Sequence, residues 1–297
     1  MFSLIKKIRK VFTIINELER TINTQYKIGR YTEKSLNSKQ SLVSDKSDFL
    51  VSFTTYSKRI HSVHLMIESL GEQTIKANKL ILWLDEDEFN PNNIPEVLKL
   101  QSKRGLEIKY CKNYRSYKKL IPTLLDNTST NIVTVDDDIL YPSDMLELLV
   151  KESKDYPNLV IAHRVHKIKS NNSEIMSYLD WEHDFQSSEP SEKIFPVGVG
   201  GVFYPKGCFD NECLNVSAFM KLAPDADDVW FKIMSHRNGF KSKKVHDTRA
   251  FWERFLVIPD GQDIALCVEN VDNGGNDKQI KNVLKEYEIR FMGDSFD

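Results

Sequence analysis

The sequence predicts an α/β protein built on a mainly parallel, Rossmann-like central sheet flanked by helices, with one further helix ahead of it. Three observations predict this. From Phe49 onward, short β-branched and aromatic runs alternate with helical stretches, the pattern of βα units. Four successive strand-like runs end in polar residues, as expected where an open α/β sheet presents the carboxyl ends of its strands to a ligand. The 297 residues suffice for one large domain with a substantial core.

Residues 1–36 read as one amphipathic helix. Leu4, Ile8, Val11, Ile15, Leu18 and Ile22 recur at alternating spacings of four and three, which makes a three-heptad seam. Ile5, Phe12 and Ile14 widen that seam, and Lys6, Lys7, Arg9 and Lys10 cluster at its start. Residues 1–22 therefore suit a membrane surface, a second subunit in a homodimer, or the chain's own catalytic domain. Residues 37–48 are polar and serine-rich and read as a linker. Residues 49–297 then form the catalytic domain.

Its strands are expected at Phe49–Thr55, Lys79–Asp85, Leu106–Cys111 and Asn131–Val135, with a helix at Ile60–Leu70. Asn158–Ala162 reads as another strand. The stretch Phe195–Pro205 holds Gly198, Gly200 and Gly201, either a bulged turn or backbone running close against a sugar or phosphate. Asp225–Met234 reads as a helix start capped by Asp225 or Asp227, which leaves Asp228 for a cleft. Residues 276–287 form an amphipathic helix, and the glycines of residues 272–276 ahead of it suit a turn or a mobile loop that closes over substrate.

Composition excludes several classes. With 41 basic and 43 acidic residues the net charge is −2, so nothing global recommends nucleic acid. Cys111, Cys208, Cys213 and Cys267 lack paired CxxC spacing and read as reduced, structural thiols of a cytoplasmic protein. No apolar run approaches the ~18 residues that span a bilayer, and no secretory signal core is present.

The chemistry concentrates in Asn131–Pro142, where a strand runs into Asp136, Asp137 and Asp138. Packed carboxylates repel and have raised pKa values unless a cation or hydrogen-bond donors hold them ionised. Two readings stand: Mg²⁺ or Mn²⁺ shared with a phosphorylated ligand, or a solvated acidic turn that caps the following helix. Neither a dinucleotide fingerprint nor a P-loop occurs, so a phosphate site would depend on the metal. Thr54, Tyr56, Arg59, Asp85 and Asn113 stand at strand ends that converge on the same crevice. His246 follows a short strand and is a candidate imidazole ligand to the same ion.

Asp136–Asp138 after a strand, Gly198–Pro205 and Ala226–Trp230 together resemble the GT-A-fold glycosyltransferases, in particular the bacterial glycosyltransferase family 2-like enzymes of capsule and lipopolysaccharide synthesis. The likeness spans about residues 49–290. It implies a DXD motif in which Asp136 meets the ribose of a nucleotide-sugar donor and Asp138 holds Mn²⁺ or Mg²⁺, with Asp137 beside them. It also implies that Thr54, Tyr56, Arg59, Asp85 and Lys119 hold the donor, close to Gly200 and Gly201. Asp228 is then the general base of an inverting transfer from a UDP-linked donor to a surface polysaccharide or lipid-linked glycan. Exostosin-like transferases look similar too and retain configuration, which leaves the stereochemistry open. A peripheral position at the inner membrane face is the matching expectation. The rival readings are a metal-dependent nucleotidyltransferase or phosphohydrolase on the same aspartates, and a carbohydrate-binding protein that kept the fold.

Overall fold

The computed structural model describes residues 2–126, 129–171, 174–259 and 274–291. Helix α1 (Phe2–Asn37) runs unbroken, and its last third is its anchor. Tyr31 and Ser35 are buried there, and Arg30 and Lys34 pair with Glu72. Nearer the N-terminus Ile8, Val11, Phe12, Ile14, Ile15, Leu18 and Ile22 are 46–61% exposed, so their face does not pack on the described part of the domain. No helix among the described residues is long and apolar enough to cross a membrane.

Residues 38–48 differ from the expected linker: they form a strap bound to the domain. Within this polar run Leu42 is fully buried against Gly71, and Val43 lies under Gly105. The Leu42 amide donates to Arg104 O and the Ser44 amide to Ala77 O. Arg104 forms a buried two-point pair with Glu68, at 2.6 and 3.0 Å, and donates to Gln40 O.

The central sheet has seven strands in the order β12-β6-β11-β4-β1-β2-β3. These are β1 (Phe49–Thr54), β2 (Lys79–Asp85), β3 (Leu106–Cys111), β4 (Asn131–Thr134), β6 (Leu159–Ala162), β11 (Val202–Tyr204) and β12 (Lys241–Lys244). All pairings are parallel except those of β11, which runs antiparallel to β4 and β6. The expected α/β class with a mainly parallel sheet is what the chain adopts. Alternation along each strand sends residues to two cores. Phe49, Val51 and Phe53 of β1 and Leu80, Leu82 and Leu84 of β2 enter one, while Leu50, Ile81 and Trp83 enter the other.

Four helices accompany the parallel strands: α2 (Val63–Gly71), α3 (Glu96–Ser102), α4 (Ile121–Leu125) and α5 (Met145–Asp155). The helix expected at 60–70 is split, with a 3₁₀ turn at Ser57–His61 ahead of α2. Three separate two-stranded pairs accompany the sheet among the described residues: β5 (Ile139–Leu140) with β13 (Leu256–Val257), β7 (Val165–Lys167) with β10 (Ile194–Pro196), and β8 (Ser170–Asn171) with β9 (Glu174–Ile175). Residues 195–205 are thus two strands, β10 and β11, joined by a glycine turn. Helices α6 (Val216–Leu222), α7 (Asp227–Arg237), α8 (Phe251–Arg254) and α9 (Gly275–Glu286) complete the chain, with α9 packed on α6 and α7.

Strand order positions the site. From β1 the chain proceeds to β2 and β3 on one side, then returns to β4 on the other. The loops after β1 and β4 leave the same edge in opposite directions, and the crevice between them is where open α/β sheets bind ligands.

Candidate active site

The Asp triplet enters a tight turn as β4 ends and is tied across this crevice. Asp137 is buried; its carboxylate accepts from Thr55 Oγ1 at 2.6 Å and from an Arg59 guanidinium nitrogen at 2.8 Å. The other terminal nitrogen of Arg59 lies 3.3 Å from Asp138, and the guanidinium covers the Tyr56 ring. The Asp136 amide donates to Tyr141 Oη at 2.9 Å, and the Ile258 amide to Asp138 O at 2.7 Å, which fixes the turn from behind. None of the three aspartates caps α5. Asp144 holds the N-cap position without a side-chain capping bond and pairs with Arg249 and Arg254. The helix-cap reading of the triplet is therefore set aside.

A second set of charges meets the first through Lys119, whose side chain is 8% exposed. Its ammonium lies 3.3 Å from Asp136, 2.9 Å from Asp227 and 3.6 Å from Asp228. Asp227 and Asp228 stand in the first turn of α7, where the helix N-terminus favours negative charge. Neither Asp225 nor Asp227 is the cap: that position is Ala226, and Asp225 pairs with Arg115. Successive residues point about 100° apart around a helix, yet both carboxylates lie within 3.6 Å of one ammonium.

Gly198 closes the group. Its amide donates to Asp228 Oδ2 at 2.8 Å, and a Cβ there would sit 2.8 Å from Lys119 Nζ and 3.0 Å from Asp228 Oδ1. Only glycine fits without displacing a charged side chain.

Among the described residues, Asp136, Asp137, Asp138, Asp227 and Asp228 face two cations, Arg59 and Lys119. Burial would lower the Lys119 pKa, but Asp136, Asp227 and Asp228 more than reverse this and hold it protonated. Burial raises the Asp138 carboxyl to about 6, with repulsion from Asp136 and Asp137 adding to it. Burial also raises Asp228 to about 6 against the pull of Lys119, and raises Asp137 against Arg59 and Thr55. Among the described residues no three carboxylate, thiol or imidazole groups form a ready-made cation cage. Mg²⁺ or Mn²⁺ needs only one or two carboxylates when water and phosphate supply the rest. The hard oxygens at this turn fit such an ion, and Asp138 with Asp136 alongside are the carboxylates that would hold it.

Several expected residues stand elsewhere. Thr54 uses its hydroxyl on Trp83 O at 2.9 Å, and the residue that reaches the triplet is its neighbour Thr55. Asp85 is buried at the end of β2, with the Lys118 ammonium at 3.8 Å and its Oδ1 accepting from the Asp87 amide at 3.0 Å. Gly200 and Gly201 have φ of +104° and +94°, and protein fills the space beside them. A Cβ at Gly200 would lie 2.6 Å from the Phe251 ring, and one at Gly201 3.3 Å from Met145 Sδ. The close approach expected there is packing, and the glycine that borders the charged site is Gly198. His246 is exposed, with its ring nitrogen 3.3 Å from Ser188 Oγ. It follows β12, three places along the sheet from β4, about 14 Å at normal strand spacing. The structure does not bring it to Asp138. The expected closing loop at 272–276 lies outside the described residues at 272–273, as does Cys267; Cys111, Cys208 and Cys213 are free thiols.

Thr55, Asp227 and the spacing role of Gly198 escaped sequence reasoning. The signals available were a second threonine at the end of β1, a second aspartate beside Asp228, and the first of three glycines.

No family model and no curated protein matches the chain. Among solved structures it is similar to a mannosyltransferase, PcManGT from Pyrobaculum calidifontis in complex with GDP-Man and Mn²⁺, at 16% identity and a TM-score of 0.32. That likeness covers 50% of this chain and 45% of that one, so the chain spans less than half of the structure it matches.

Proposed function

We propose that the chain is a metal-dependent glycosyltransferase that moves a sugar from a nucleotide-sugar donor to a glycan or lipid-linked acceptor. The observation that carries this is the meeting, at the β1/β4 crevice, of the Asp triplet with a second carboxylate pair through one buried lysine. A site for phosphate ester chemistry alone needs the triplet and its ion. Asp228, across Lys119 from Asp136 and held by the Gly198 amide, is the added group that an acceptor hydroxyl requires.

In this reading Asp138, with Asp136 beside it, would hold Mn²⁺ or Mg²⁺, which when bound neutralises charge on the departing diphosphate. Arg59 orients the triplet by gripping Asp137 and Asp138, and Thr55 fixes the remaining Asp137 oxygen. Lys119 lies within reach of charge on either side of the crevice. Asp228 takes the proton from the acceptor hydroxyl; the acceptor oxygen bonds to the anomeric carbon while the bond from that carbon to the phosphate oxygen breaks. A nucleoside diphosphate leaves, and the product has inverted configuration. A base with a pKa near 6 is ionised at neutral pH and still basic enough to serve. A UDP-linked donor is the expected substrate, and a surface polysaccharide the expected product.

Two variants test the division of labour. Asp138→Ala should abolish metal-dependent donor binding, read by calorimetry with Mn²⁺. Asp228→Asn should bind donor normally and lose about 10²–10⁴-fold in turnover. Normal donor binding by the first, or normal turnover by the second, would contradict the assignment.

A further inference from the structure

We propose that residues 4–22 of α1 dock on an anionic lipid bilayer, with the helix lying in the plane of the surface. This goes beyond the transferase reading and stands independently of it. The helix is continuous, yet Ile8, Val11, Phe12, Ile14, Ile15, Leu18 and Ile22 remain on its surface, each at least 46% exposed. At 100° per residue they fall within an arc of about 160°. An apolar area of this size on a helix that stands off its own domain is an interaction face.

Charge selects the occupant. Lys6, Lys7, Arg9 and Lys10 precede the first carboxylate of the chain, Glu17. Lys6, Arg9 and Lys10 fall on the side opposite the apolar arc; Lys7 falls about 20° inside one edge of the arc, where a lysine can extend its stem along apolar surface and keep its ammonium in water, and Glu19 falls about 20° inside the other edge. This is the pattern of an interfacial helix: apolar groups at the acyl boundary and cations among anionic headgroups. A second copy fits less well. A parallel two-stranded seam would bury Ile8, Val11, Ile15, Leu18 and Ile22 but leave Phe12 and Ile14 at its rim. The flanking pairs would be Lys7 with Phe12 and Ile14 with Glu19, with no opposite charges between them. A lipid surface covers the whole arc.

The root of the helix supports the same orientation. The Arg20 guanidinium lies 5.9 Å from the centre of the Trp252 ring, and Arg164 covers the same ring at 5.1 Å. Trp252 is 37% exposed and follows Phe251, the ring seated on Gly200 in the turn that carries Gly198. At 100° per residue Arg20 falls nearly opposite the centre of the apolar arc, so this contact holds the domain behind the helix and leaves the arc facing outward.

The test is sedimentation of the full chain with vesicles of phosphatidylcholine, with and without about a quarter phosphatidylglycerol. Binding is expected only to the anionic vesicles, and it should weaken as salt is added. Changing Lys6, Lys7, Arg9 and Lys10 to Gln should weaken it by about a hundredfold or more, since each surface cation contributes about fivefold. Ile15→Asp with Leu18→Asp should abolish binding while the thermal midpoint stays unchanged, because both positions are exposed. Equal binding to neutral vesicles, or none to either, would overturn the proposal. So would a lipid-free dimer that becomes a monomer in the Ile15→Asp, Leu18→Asp variant, which would assign the face to a second copy.

Discussion

Gly198 shows how narrow the tolerances of the site are at the scale of single residues. Gly198→Ala should leave the fold intact but push Lys119 or Asp228 from its place, with turnover down by about 10²-fold and the unfolding midpoint little changed. The pH profile supplies a second check. Since the Asp228 carboxyl sits near 6, turnover at saturating Mn²⁺ should fall about tenfold per unit as pH drops below 6 and the base is protonated; the residual activity of Asp228→Asn, measured at the same saturating Mn²⁺, should lack that limb. At this scale the sequence was partly legible. Three adjacent aspartates after a β-branched run announce a charged site, because carboxylates seldom crowd without a purpose. Thr54 and Thr55 could not be ranked, since strand alternation sends them to opposite faces without saying which face is the crevice.

At the scale of elements, strand bounds were the most legible feature. The expected β2 and β3 match the observed ones residue for residue, because the apolar run of β2 is bounded by Lys79 and Asp85 and the alternating run of β3 is bounded by Gly105 and Lys112. The strap at 38–48 was not legible, since its anchor is Leu42 under Gly71 and its tie is Arg104, more than sixty positions away. Arg104→Ala would leave Glu68 buried without its cation and should cost about 3–5 kcal/mol in urea unfolding. Gly200→Ala places a Cβ against Phe251 at a left-handed φ and should cost about 1–3 kcal/mol. Acid should weaken the junction of β6 and β7. Burial holds the pKa of His163 and His166 down to about 4, against about 6.5 unfolded. The unfolded state therefore takes up protons first, and stability is lost as pH falls from about 6.5 toward 4. Between pH 7 and 5 each histidine contributes a loss of about 2 kcal/mol. In His163→Gln, which can still donate to Met145 O, the loss over that range should be smaller by about that amount.

Across the whole molecule, what the sequence withheld was strand order. The alternation of β and α segments announces a mainly parallel sheet, but nothing local says that β4 returns beside β1, or that two strands separate it from β12. The first fact brings Arg59 and Thr55 to Asp137; the second keeps His246 away from Asp138. The same order brings α7 to Lys119, so that five carboxylates drawn from two distant stretches share one crevice. The measurement that tests this account most directly is incubation of the full chain with a panel of nucleotide sugars and Mn²⁺, products read by mass spectrometry, with a chelator as control. The account predicts that at least one donor releases its nucleoside diphosphate and free or transferred sugar, and that the chelator stops the reaction. A chain that cleaves no donor, or that cleaves between the phosphates to give a sugar phosphate and a nucleoside monophosphate, would contradict it.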